Sequence, residues 1–172
     1  MRWAGYLMIF LAAAGGGFYA SLLLEKRKRQ LAILKRAVIS LNREIDYQLS
    51  TLPEAFHHTA DRVEEPWKSF WEETGRNLEK SREIRKEFLT LWEDQIKEAE
   101  KFHPWKQDLN VLKELGKGLG QLDKQMQLAQ LKLTGEELLE MEREAEEECK
   151  RKGHLYRMLG TCMGVLGIVL LL

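Results

Sequence analysis

The chain has 172 residues, with 27 Lys and Arg set against 27 Asp and Glu, so its formal net charge is zero. That length suits one domain, and the balanced charge removes the usual electrostatic reason for binding nucleic acid. Every acidic residue, and every basic residue except Arg2, lies between Glu25 and Arg157. A heavily charged body with an uncharged segment at each end excludes an ordinary soluble enzyme. Two short spans cannot enclose a pathway unaided, which excludes a polytopic transporter.

Residues 3–24 carry no charge and reach about 33 Å as a helix, enough to cross a hydrocarbon core of about 30 Å. Trp3 and Tyr6 suit the headgroup region at one end. Arg2 and the small residues 12–14 also fit a cleaved signal peptide, but the apolar run continues ten residues past Ala14 and stops at Lys26-Arg27-Lys28-Arg29. A retained transmembrane anchor is the expectation. One basic residue precedes it and four follow, which puts the following side in the cytoplasm. The four cations are a topology signal first and a specific anionic-lipid site second.

At the other end, residues 158–172 give only about 22 Å of uncharged helix. Leu155 and Tyr156, with Arg157 turning its head to the interface, extend that to about 27 Å. Lys150, Arg151, Lys152 and Arg157 precede it and again place the charged body inside. A second span is expected over 155–172, the alternative being a half-inserted tail. Gly160 and Gly164 at one end, and Ala13 and Gly17 at the other, have the four-residue spacing that lets membrane helices approach closely. The expected organisation is a transmembrane helix at 3–24, a cytoplasmic helical bundle at 25–154 and the apolar segment at 155–172.

The body reads as all-α. Leu31, Leu34, Val38, Leu41, Ile45, Leu49 and Leu52 recur at intervals of three and four. Pro53 ends that run near Ser50, and Thr51 with Glu54 makes a capping box for a new helix that has Pro53 in its first turn. Pro66 opens another helix, with Trp67, Phe70 and Trp71 on one side as aromatic core and Gly75 near its end or at a bend. Ile84, Phe88, Leu91, Trp92 and Ile96 form the next apolar face, and Leu109, Leu112 and Leu115 follow Pro104.

Gly116 and Gly120 lie four apart, on one helix face, where another helix is able to approach closely, while Gly118 bends or interrupts the helix. The same stretch lacks the Gly-Lys-Ser/Thr of a phosphate loop. Beyond it, Leu122, Met126, Ala129 and Leu133 recur at intervals of four, three and four, which is helical spacing. Leu138, Met141, Ala145 and Cys149 start a phase that continues through Gly153 into the C-terminal segment. The glutamates between Glu140 and Glu148 are a solvated face, or an acidic docking surface for a basic partner.

Chemistry-bearing motifs are sparse. Cys149 and Cys162 are too few and too distant for a zinc site, and in a cytoplasmic body they remain thiols. His57 and His58 are adjacent, so on a helix they diverge by about 100° and act as single surface histidines. No catalytic, metal or nucleotide fingerprint is present, and neither enzymatic activity nor a cofactor is expected.

Four collinear elements nevertheless form a pattern: the anchor with its basic patch; Ile45-Asp46-Tyr47 leading to Thr51-Leu52-Pro53-Glu54-Ala55-Phe56; Leu119-Gly120-x-x-Asp123-x-x-x-Gln127; and Leu155-Tyr156-Arg157-x-Leu159-Gly160. This pattern resembles the stage III sporulation protein AB family over nearly the whole chain, departing from it in the glycine-rich approach Leu115-Gly116-Lys117-Gly118. The Leu-Pro-x-Ala element also resembles the cytoplasmic bundles of GspF-type secretion platform proteins. The resemblance implies a non-catalytic platform or adaptor of the channel complex between mother cell and forespore. It would sit in the mother-cell membrane and engage the stage III sporulation AA-type ATPase. A bitopic scaffold that self-associates without touching an ATPase is the alternative. Leu52, Pro53, Ala55, Gly116, Gly120, Asp123 and Gln127 are the candidate helix-packing or partner-contact residues.

Overall fold

A computed structural model describes residues 2–47, 50–80, 84–121 and 123–171, except the side chains of 2–14, 84–86, 120–121, 157, 160–161 and 163–171. Six helices account for nearly all of them: α1 (Arg2–Tyr47), α2 (Leu52–Ala60), α3 (Trp67–Lys80), α4 (Ile84–Ala99), α5 (Lys106–Gln121) and α6 (Lys124–Leu171). No strand occurs among the described residues, so the fold is all-α. The chain divides into two compact units. One joins Met1–Arg29 to Glu142–Leu172, and the other is Gln30–Met141.

The Gln30–Met141 unit is a bundle whose α1 stripe was visible as spacing. Leu31, Leu34, Ala37, Val38 and Leu41 are fully buried, and Ile45 nearly so. Two contacts show that α1 and α6 run antiparallel in this unit. A Cβ on Gly135 would lie 3.9 Å from Ile39 Cγ1, and Lys124 Nζ donates to the Asp46 carbonyl at 3.4 Å. Helix α2 packs on α3, α3 on α4 and α4 on α5, in a chain of neighbours joined by short connections.

Aromatic side chains fill the centre of this unit. Phe56 of α2 stacks on Trp71 of α3 at 5.6 Å between ring centroids and lies 5.9 Å from Trp92 of α4. Phe70 meets Trp71 and Trp92 edge-on at 5.1 and 5.5 Å, and Phe88 stacks on Trp92 at 5.6 Å. Edge-to-face and offset pairs of this kind each add about 0.5–1.5 kcal/mol to the area they bury.

In the other unit the two helices run antiparallel. Gly153 lies beside Ser21, where an added Cβ would meet Oγ at 3.3 Å, and Arg27 faces Glu148 while Lys28 faces Glu146. Gly15 and Gly16 face open space. Away from the ion pairs the unit exposes Phe18, Tyr19, Leu22, Leu155, Met158 and Leu159. Among the described residues no helix is long and apolar enough to cross a membrane. Much of both expected spans (3–24 and 155–172), including Ala13, Gly160 and Gly164, lies where side chains are outside the described residues.

Two local expectations change. Helix α5 continues through Gly118 to Gln121, so this glycine neither ends nor interrupts it. Gly75 is buried inside α3, which runs on to Lys80. The helical spacing of Met126, Ala129 and Leu133 holds within α6, where they face outward while Leu131, Thr134 and Leu138 are buried; Leu122 lies outside the described residues. Spacing alone identifies a helix, but the contact with α1 through Gly135 decides which side turns inward.

Candidate functional site

Leu52, Pro53 and Ala55 stand at the start of α2, where Pro53 and Ala55 are buried and Leu52 is half-buried. The Glu54 carboxylate accepts from the Thr51 backbone N–H at 2.8 Å and from its hydroxyl at 2.7 Å. Proline costs nothing in this first turn, because its missing N–H would have had no partner. The segment is a helix start that sends Phe56 into the aromatic centre.

Those two donors, helped by the charge of His58, hold the Glu54 carboxyl below its ordinary value. The unfolded chain therefore takes up this proton at higher pH than the folded one. The stabilisation is complete above the ordinary carboxylate value and disappears as pH falls through the folded one. Glu54→Gln is expected to flatten the acid limb of a stability–pH curve measured by urea unfolding.

Gly116 sits directly against Trp92. An added Cβ would lie 2.2 Å from Cδ1 and 2.3 Å from Nε1 of the indole. The indole N–H donates to the Leu112 carbonyl at 2.8 Å, one turn earlier on α5. Absence of a side chain lets the ring lie on the α5 backbone and satisfy its one polar group there. Gly120 belongs to α5, with its surroundings outside the described residues.

Asp123 and Gln127 close the corner between α5 and α6. Asp123 Oδ1 accepts from the Met126 backbone N–H at 2.9 Å, the bond of an N-cap. Gln127 donates from Nε2 to the Leu119 carbonyl at 2.8 Å, which satisfies an otherwise open acceptor at the end of α5. The motif that links Leu119 to Gln127 thus holds two helices at a fixed corner.

Two buried polar centres escaped the sequence reading. Fully buried His103, between α4 and α5, has Nδ1 2.6 Å from Gln30 Oε1 and Nε2 3.0 Å from Asp108 Oδ2, whose side chain is also fully buried. Trp67 and Trp105 flank its ring at centroid distances of 5.4 and 5.0 Å. Both side chains are closed to solvent, and the dyad ties α1, the α4–α5 connection and α5 together. Gln30 is 73 residues from His103, so no local pattern announces the contact.

The second centre is Glu44, fully buried on α1, which receives Arg62 Nη1 at 2.8 Å and lies 2.8 Å from His58 Nδ1. Arg62 also donates to Ser40 Oγ at 3.2 Å. His58, a half-exposed side chain, meets this buried carboxylate beside Arg62, and the two adjacent histidines act singly, as expected. His57 Nε2 lies 3.2 Å from Glu79.

The basic and acidic runs of the other unit meet each other. Arg27 reaches Glu148 at 3.6 Å and Lys28 reaches Glu146 at 3.5 Å, with Lys150 also on Glu146 at 2.9 Å and Lys152 also on Glu148. Lys150 and then Lys28 hold the Glu146 carboxyl below its ordinary value, and Lys152 and then Arg27 do the same for Glu148. These acids are thus partly engaged within the chain. No cluster of three His, Cys, Asp or Glu suited to a metal occurs among the described residues.

Corner devices, an aromatic centre and buried polar ties describe a helical protein built to hold its shape, with every candidate residue that is described serving helix ends or helix contacts. The sequence completes the identification. It matches the family model of stage III sporulation protein AB over residues 2–172, and the chain belongs to that family. It is similar to stage III sporulation protein AB of Bacillus subtilis (strain 168), with 28% identity over 173 residues that cover 100% of this chain and 99% of the relative. No solved structure matches it. Membership in the family gives the chain a role in sporulation.

Proposed function

We propose that the chain is a non-catalytic platform or adaptor, anchored by both ends in the mother-cell membrane with Gln30–Met141 in the cytoplasm. There it engages the stage III sporulation AA-type ATPase of the channel complex, in the manner of GspF-type platforms. One observation carries the anchoring: Phe18, Tyr19, Leu22, Leu155, Met158 and Leu159 are large, apolar and exposed, next to segments without ionised side chains. Water is a poor solvent for such a belt and hydrocarbon is a good one. The positively charged flanks support the sidedness. The packed interior, whose buried His–Asp dyad is closed to solvent, supports a mechanical task over a chemical one.

The test uses the full chain. Membranes carrying it are washed with alkaline carbonate, and retention in the pellet is expected; release would end the anchoring reading. The detergent-solubilised chain is then immobilised and titrated with the ATPase, and capture at micromolar concentration is expected. Membrane retention with an empty capture would overturn the ATPase reading in favour of a scaffold without that contact.

A further inference from the structure

The Gln30–Met141 unit leaves one side of α6 uncovered. Met126 and Leu133 are 54% and 60% exposed, and Ala129 between them is exposed too. Ile39 and Tyr47 of α1 are exposed as well, but α1 meets α6 at Gly135, beside Ile39, and at Lys124, which reaches the Asp46 carbonyl, both about 160° around α6 from this stripe. These four are the exposed large apolar side chains among the described residues of this unit. Single apolar residues on a surface mean little, but Met126, Ala129 and Leu133 follow one another on consecutive turns of one uncovered helix face, and such a stripe calls for a partner.

The charges beside the stripe say which partner. Met126 and Leu133 are seven residues apart, so two α6 helices side by side and parallel would bring each against its own counterpart. Lys132 and Glu137, both exposed, fall on opposite shoulders of the stripe, five residues apart. Five is the spacing at which a shoulder residue of one helix meets that of a parallel partner. Gln125 and Gln130 repeat it one heptad earlier. Glu136 and Glu140 then continue the stripe as like charges and end the favourable seam.

We propose that this face docks a second copy of the chain, α6 parallel to α6 across a two-fold axis. Met126 and Leu133 form the seam, and Lys132 of each copy faces Glu137 of the other. The contact is short, and it rests on the anchoring proposed above. Two chains held by the same ends in one bilayer meet in parallel and at high effective concentration, so a seam of two turns suffices.

The test uses the full chain in membranes, with Cys149→Ser and Cys162→Ser to remove native thiols. Oxidation of Leu133→Cys or Met126→Cys is expected to give about tenfold more disulfide dimer than Lys113→Cys on α5, because only a symmetric seam brings identical positions within disulfide reach. Lys132→Glu should lower the Leu133→Cys dimer yield, and adding Glu137→Lys should restore it. Equal yields at all three positions, or no restoration by the charge exchange, would overturn the proposal. So would dimers formed only between Met126→Cys and Leu133→Cys chains, since that pattern requires antiparallel helices. Carbonate extraction of the same membranes separates the two ideas. Retained chains without cross-links refute the docking face, whereas released chains refute the anchoring beneath it.

Discussion

Gly116→Ala is expected to destabilise the protein by about 2–4 kcal/mol, measured by urea unfolding of the full chain in detergent. In a helix interior this change normally helps, by roughly 1 kcal/mol of propensity. Here the added Cβ would stand 2.2 Å from the Trp92 ring, far inside contact distance. The indole must withdraw from α5, lose its 2.8 Å bond to the Leu112 carbonyl and disturb its stacking on Phe88 and its tilted contact with Phe56. Overpacking and an orphaned buried N–H outweigh the propensity gain. Gly116→Leu should do more damage still. Trp92→Leu combined with Gly116→Ala should cost less than the two changes added together, because the smaller side chain vacates the contact. Normal stability of Gly116→Ala would mean that the ring does not rest on this helix.

The second large effect is expected at His103. His103→Ala removes the shared partner of Gln30 and Asp108, both buried, and opens a gap beside Trp67 and Trp105. A loss of about 2–4 kcal/mol is the expected result, read as an earlier midpoint in urea. The cause is separable from lost volume. Replacing both partners of a buried polar pair by apolar groups is far less costly than leaving one behind. The double variant His103→Leu with Asp108→Leu should therefore be more stable than the sum of its single variants implies. Simple additivity would reduce His103 to a packing residue.

How much of this was legible beforehand differs by element. The α1 stripe from Leu31 to Ile45 and the aromatic positions Trp67, Phe70, Trp71, Phe88 and Trp92 were visible, because periodicity records which residues share a helix face. The helix start at Leu52 was visible because Thr51, Pro53 and Glu54 act within one turn. What stayed hidden depends on distant partners. The same periodicity at Met126, Ala129 and Leu133 marked a helix, yet α1 packs elsewhere on it and leaves that side open. Gly116 stood out as a place for close approach, but which side chain approaches was unreadable, since Trp92 arrives from another helix. His103 and Glu44 depend on distant residues, Gln30 on α1 for the one and Arg62, just past the end of α2, for the other.

The ion pairs joining Arg27 to Glu148 and Lys28 to Glu146 also imply an order of events during synthesis. A ribosome makes the cations long before their acidic partners exist. For most of translation Arg27 and Lys28 lack these two glutamates, when an inserting segment would orient by its positive charges. Only when the last helix emerges do the glutamates arrive and cancel part of that charge. The nascent chain and the finished one thus present different electrostatic surfaces at Arg27 and Lys28.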